Sequence, residues 1–179
     1  MLVVIEGVDK AGKSTLAERL KRELGWNVVH FGKPGPDPFL EYNTFLDNLT
    51  ENLICDRFFL GELVYGPLLR KKQSITQKQI KIIESKCNRI GTIIIHANPK
   101  YKTISDRFDK LGDDMITESQ NATAYIAFKK VFAKTKIVPH LEWLQYAPMD
   151  DTVKRILHAI KFLEVTKNDP TNYNIKQYC

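Results

Sequence analysis

The sequence predicts an α/β fold, with a mostly parallel five-stranded sheet and helices on both faces. Two patterns predict it. Short apolar runs alternate with longer stretches whose apolar residues recur at helical spacing. A glycine-bearing turn, Gly7 to Ser14, separates the first apolar run from the first helical stretch. The chain of 179 residues is long enough to bury a full core as one domain. Its 43% apolar and 27% charged residues are the balance of a globular protein.

Five strands are expected at Leu2 to Ile5, Asn27 to Phe31, Leu53 to Cys55, Thr92 to His96 and Trp143 to Gln145. Each is a continuous apolar or β-branched run, as strands covered on both faces are. Ser14 to Leu24 sets Leu16, Leu20 and Leu24 on one helical stripe. Ile75, Ile80, Ile82 and Ile83 mark another helix, with Ser74 and Gln77 at capping-box spacing. Asn121 to Thr135 and Asp150 to Leu163 complete the helical set, the last opening on acidic residues that complement a helix N-terminus. One domain over 1–164 is expected, followed by a polar tail over 165–179.

In such a sheet, ligands bind beyond the carboxyl ends of the strands. The chemistry is therefore expected from Glu6 onward, around His30 to Pro34, at Asp56-Arg57 and after His96. The stretch Gly32 to Pro38 is a stiff Pro/Gly turn just past the second strand. No apolar run approaches the roughly 20 residues that span a bilayer. No charged-then-apolar leader opens the chain, so no membrane association is expected and a cytoplasmic location is. Cys55, Cys87 and Cys179 are too dispersed for a zinc site or a disulfide framework. The net charge of +6 suits anionic partners, nucleotides first and nucleic acid second.

Gly7-Val8-Asp9-Lys10-Ala11-Gly12-Lys13-Ser14 has the spacing GxxxxGK[ST] between a strand and a helix. Glycines let the backbone wrap phosphate with its N–H groups pointing inward, and the following helix adds its positive end. This is the phosphate-binding loop of the P-loop NTPase fold, and it implies ATP and Mg²⁺. Gly7 through Ser14, with Thr15, form the nucleotide cradle. Lys13 reaches the β- and γ-phosphates and Ser14 holds the metal. Asp9 either meets a sugar hydroxyl or metal-bound water, or simply forms the turn. Lys10 is either a second cation beside the transferred group or a solvated loop tip.

The loop, together with Asp56-Arg57-Phe58 at a strand end, Asn98-Pro99, Arg107 and Gly112-Asp113-Asp114, resembles the thymidylate kinase family of nucleoside monophosphate kinases. The resemblance runs to about Met115. It implies transfer of the ATP γ-phosphate to a dTMP- or dUMP-like acceptor held near Asp9 and Arg57. It also implies that Arg57 bridges the two phosphates, that Asp56 organises the metal shell, and that Arg107 closes a lid over about 107–118. The family's extra cation lies in the loop or the lid; here the lid offers Lys110 and the loop Lys10, so the loop version is implied. A homodimer is implied by analogy.

One departure stands out. The family's long insertion is reduced to about 32–52, which carries Phe39, Tyr42, Phe45 and the single cation Lys33, with no arginine. The aromatics fit core or a base-stacking surface. The run Asp56 to Pro67 resembles phage-encoded members, a subgroup of which phosphorylates 5-hydroxymethyluracil in DNA. In that reading Glu62 is a base for a hydroxyl, Tyr65 an acceptor contact, and Arg70, with Lys71 and Lys72, a DNA-backbone contact. Otherwise these are a helix carboxylate, a core-edge tyrosine and a dipole-complementing basic end. A nucleoside kinase using Glu62 or Asp56 as base, and a P-loop ATP-binding switch protein, are the further alternatives.

Overall fold

The computed structural model describes residues 1–112, 116–143 and 149–168. In chain order its elements are β1 (Leu2–Glu6), α1 (Lys13–Leu24), β2 (Asn27–His30), α2 (Pro38–Asp47), β3 (Leu53–Asp56), α3 (Phe59–Arg70), α4 (Gln77–Ile90), β4 (Thr92–Ala97), α5 (Tyr101–Leu111), α6 (Glu118–Phe132), β5 (His140–Trp143) and α7 (Met149–Asn168). The five strands form one parallel sheet in the order β2-β3-β1-β4-β5. Leu2 of central β1 lies level with Leu53 on one side and Thr92 on the other.

Helices cover both faces, as expected. Successive residues of a strand point to opposite faces, and β4 shows it. Ile95 faces Thr152 and Ile156 of α7, while the His96 ring stacks on Phe132 of α6 with centroids 4.0 Å apart. The helix α1 lies beside α7, and α3 packs against α6. β1, β3 and β4 are buried along their whole length, which explains their unbroken apolar runs.

Several elements differ from the expectation. β5 spans His140–Trp143, ending where a strand over Trp143 to Gln145 was expected to begin; Leu144 and Gln145 lie outside the described residues. β5 is an edge strand with an exposed-intermediate-exposed-buried pattern, so its polar His140 and Glu142 hide it from a search for apolar runs. The capping box of α4 is formed by Thr76 and Gln79, two residues past the expected Ser74 and Gln77. Ile75 and Ile80 then occupy the flanking staple positions, and both are buried. A second capping box, Thr117 with Gln120, starts α6 three residues before the expected Asn121. α3 continues through Pro67 to Arg70. α7 runs past Glu164, through the expected domain end. Residues 169–179 of the expected tail lie outside the described residues.

The small α2 is started by Asp37, whose side chain accepts Leu40 N–H at 3.0 Å, with Pro38 in the first turn. Its Tyr42 and Phe45 join Phe31 and Phe58 in a cluster of tilted and edge-on rings. Among the described residues no helix is long and apolar enough to cross a membrane.

Candidate functional site

The loop leaves the carboxyl end of β1 through Gly7. Its φ of +148° is in the region that favours glycine, and a Cβ there would meet Ala97 O at 2.5 Å. Gly12, at φ +89°, is the N-cap of α1, whose first turn has no side-chain cap and no acidic residue. Those backbone N–H groups are thus left to an anion. Lys13 is buried in the loop, where its ammonium donates to Val8 O at 2.6 Å and lies 3.6 Å from Asp9. Burial lowers the Lys13 pKa, which Asp9 opposes.

Asp9 is tied into the rest of the fold. Its carboxylate forms an ion pair with Arg57 and accepts the Tyr65 hydroxyl at 3.4 Å, and its N–H donates back to that oxygen at 3.2 Å. Arg57 itself has φ +73°, outside the usual regions, and its N–H is held by Ile5 O at 2.9 Å. Arg107 from α5 donates to Lys10 O at 2.9 Å and so braces the loop. The residues Asp113, Asp114 and Met115 lie outside the described residues.

Ser14 Oγ donates to Asp56 Oδ2 at 2.7 Å, and Asp56 Oδ1 is buried with no partner among the described residues. A hydroxyl oxygen beside an orphaned carboxylate oxygen is a hard oxygen donor set that fits magnesium. No group of three or more His, Cys, Asp or Glu that could hold a metal occurs among the described residues.

A cleft of about 330 Å³ opens beside the loop. Its lining includes Asp9, Lys33, Arg57, Glu62, Tyr65 and Arg70 of the expected residues. Phe39 is not part of that lining; half-buried on α2, it packs against the core. Glu62 does line the cleft, but with 1% side-chain exposure and an ion pair to Arg70. The guanidinium holds its Oε2, while its Oε1 is buried with no partner among the described residues.

Sequence reading missed several contributors. Glu6 is fully buried and accepts Phe58 N–H at 2.8 Å and Gly61 N–H at 2.9 Å. Burial raises its carboxyl to about 7, against the pull of those two N–H groups, Lys13 and Arg57. Exposed His30, at the end of β2, lies 3.2 Å from the same Asp56 oxygen that Ser14 uses. Buried Asn121 donates to Asp9 O at 3.4 Å. Glu6 and His30 were signalled only by their places at strand ends; Asn121 finds its partner too distant in sequence to be signalled at all.

No family model matches the chain. It is 30% identical over 122 residues to the SPbeta prophage-derived uncharacterized protein YorR of Bacillus subtilis, a match that covers 64% of this chain and 72% of that one. The crystal structure of YorR in complex with phosphorylated GDP superposes with a TM-score of 0.77 at 22% identity, over 90% of this chain and 96% of that one. The chain is also 29% identical over 185 aligned positions to the thymidylate kinase of Chlamydia felis, covering 98% of this chain and 79% of the other. Deoxyadenosine kinase from M. mycoides with bound dATP gives a TM-score of 0.59 at 18% identity, over 90% and 99% of the two chains. The fold is that of the P-loop kinases.

Proposed function

This chain belongs to the same family as the Bacillus subtilis YorR protein, and we propose that it is an ATP-dependent kinase moving the γ-phosphate of ATP to a deoxynucleoside monophosphate of the dTMP or dUMP kind. One observation carries the choice of acceptor. The two carboxylates lining the cleft, Asp9 and Glu62, are both ion-paired to arginines. A hydroxyl acceptor, on a nucleoside or on a hydroxymethylated base in DNA, gains from a free general base. A monophosphate is already anionic and needs cationic positioning instead. Lys33 and Arg57 line the cleft and supply that positioning. The kinases of nucleotides and nucleosides among the similar proteins support the same chemistry.

In this reading the amides from Gly7 to Ser14 and the Lys13 ammonium bind the donor phosphates. Arg57, anchored on Asp9, lies between donor and acceptor, and Lys10 adds positive charge beside the transferred group. Arg107 fixes the loop backbone at Lys10. Ser14 and Asp56 would hold magnesium, which neutralises charge on the β- and γ-phosphate oxygens when bound.

The test is incubation with labelled ATP and, in parallel, dTMP, dUMP, thymidine and DNA carrying 5-hydroxymethyluracil. Label is expected in the monophosphates. Label in the DNA alone would overturn the reading in favour of a base-modifying kinase. Free phosphate with no labelled acceptor would turn it into an ATP-hydrolysing switch.

A further inference from the structure

The net charge of +6 is not spread evenly over the molecule. Helix α4 carries Lys78, Lys81 and Arg89, and the segment between α6 and β5 carries Lys134 and Lys136; all five are exposed. Positions 78, 81, 85 and 89 follow at steps of three, four and four residues, which is a single stripe along a helix. Exposed Ser85 fills the remaining place on it. Among the described residues no carboxylate pairs with any of the five cations. The only acid of α4, Glu84, is buried, and the helix's other lysine, Lys86, is paired with Asp47. Five unpaired cations against a net charge of +6 leave the rest of the chain close to neutral.

Helix and segment are joined into one surface. Glu84 Oε1 accepts the Thr135 hydroxyl at 2.9 Å and the Lys136 N–H at 2.8 Å. Asn88 donates to Lys136 O at 2.8 Å and accepts the Val138 N–H at 3.0 Å. Ile137, between them, is fully buried. The backbone that bears Lys134 and Lys136 is therefore fixed against α4 before any partner arrives, which lowers the ordering cost of binding. The surface lies away from the cleft. Arg89 and Lys136 shortly precede the amino ends of β4 and β5, whereas the phosphate-binding loop and the cleft sit beyond the carboxyl ends of the strands.

We infer that this face docks the phosphodiester backbone of a nucleic acid duplex without reading its sequence. From Lys78 to Arg89 the stripe rises roughly 17 Å along the helix. Phosphates of one duplex strand follow at an axial spacing of about 3.4 Å, so the stripe matches about five of them. Exposed Gln77 and Ser85 add uncharged groups of the kind that bond phosphate oxygens. A membrane surface fits less well, because Ile80, Ile83 and Cys87, the apolar side of α4, are buried in the core and leave nothing to insert. A duplex held here leaves the cleft open, so the inference does not depend on which acceptor the cleft takes.

The experiment is fluorescence anisotropy of a labelled DNA duplex of arbitrary sequence, titrated with the full chain over a series of NaCl concentrations, with thermal midpoints in parallel. Binding is expected at low salt, and log K should fall against log salt with a slope of about −4 to −5, the release expected for five neutralised phosphates. The triple variant Lys78→Gln, Lys81→Gln, Arg89→Gln should make that slope shallower by about 3, and the double variant Lys134→Gln, Lys136→Gln by about 2. Midpoints should stay unchanged, since all five side chains are exposed. A control variant, Lys21→Gln, Arg22→Gln, Lys161→Gln, removes three exposed cations from α1 and α7 and should leave the slope as it is. An equal loss in that control would reduce the effect to net charge and overturn the inference, as would no binding at low salt. Displacement of the duplex by polyglutamate at equal charge concentration would assign the face to an acidic protein and overturn it too.

Discussion

Glu6 accepts the backbone N–H of Gly61 at 2.9 Å, across 55 residues of chain. The bond joins the strand that enters the phosphate-binding loop to the first turn of the helix that walls the neighbouring cleft. A carboxylate without solvent does this work, and its other oxygen has no partner among the described residues.

Stability should therefore fall as pH rises through the Glu6 titration. Unfolded, the group releases its proton near 4.5; folded, it holds it to about 7. Between these values the folded state binds more protons, so its advantage declines with rising pH and levels off above 7. The full change is on the order of 3 kcal/mol. Urea unfolding of wild type and Glu6→Gln from pH 4.5 to 8 isolates it. The variant should gain relative stability across that window; parallel curves would remove the buried acid from the account.

Lys13→Ala should cut transfer by roughly 100-fold or more, as loss of a preorganised charge at the reacting group does. Lys10→Ala should reduce kcat by about tenfold with little change in KM for ATP, because its charge matters most as the transition state forms. Steady-state kinetics separate the two. A Lys10 effect confined to KM would place that residue in ground-state binding.

Asp56→Asn should raise the magnesium concentration that half-activates transfer by roughly 10- to 100-fold. Ser14→Ala should act in the same direction, since the two oxygens lie 2.7 Å apart at one site. Titration of the rate with MgCl₂ reads both, and an unmoved midpoint in both variants would take the metal away from this pair.

Gly7→Ala should cost more stability than Gly25→Ala. Both glycines have positive φ, but a Cβ at Gly7 meets Ala97 O at 2.5 Å while one at Gly25 meets nothing within 4 Å. The backbone penalty alone is about 1–2 kcal/mol for each, which denaturant unfolding resolves. Equal losses would mean that β4 moves aside freely.

The donor side was legible because its logic is local. Gly7 to Ser14 form one turn, and the flanking strand and helix announce themselves by burial in β1 and by the stripe of Leu16 and Leu20. The acceptor side was not, because its parts meet only in space. Arg70 and Glu62 read as an ordinary helix end and an ordinary helical acid until α3 sets them together over Gly66. Tyr42 stood in an aromatic row that fitted either core or cleft, and it serves both. Phe39, from the same row, packs half-buried against the core. Edge strand β5 escaped because half its residues face outward.

Asp9 is where three other parts of the chain converge. Arg57 and Tyr65 hold it from the region after β3, Lys13 from α1, and Asn121 from α6. Arg57, Tyr65 and Lys13 meet its carboxylate and Asn121 its backbone carbonyl, so a nucleotide that shifts the whole residue must loosen or carry each of these grips together. Occupancy of the loop would then be felt as a common change in protection of the α3 and α6 amides, making the aspartate a junction through which the distant walls of the cleft register the donor.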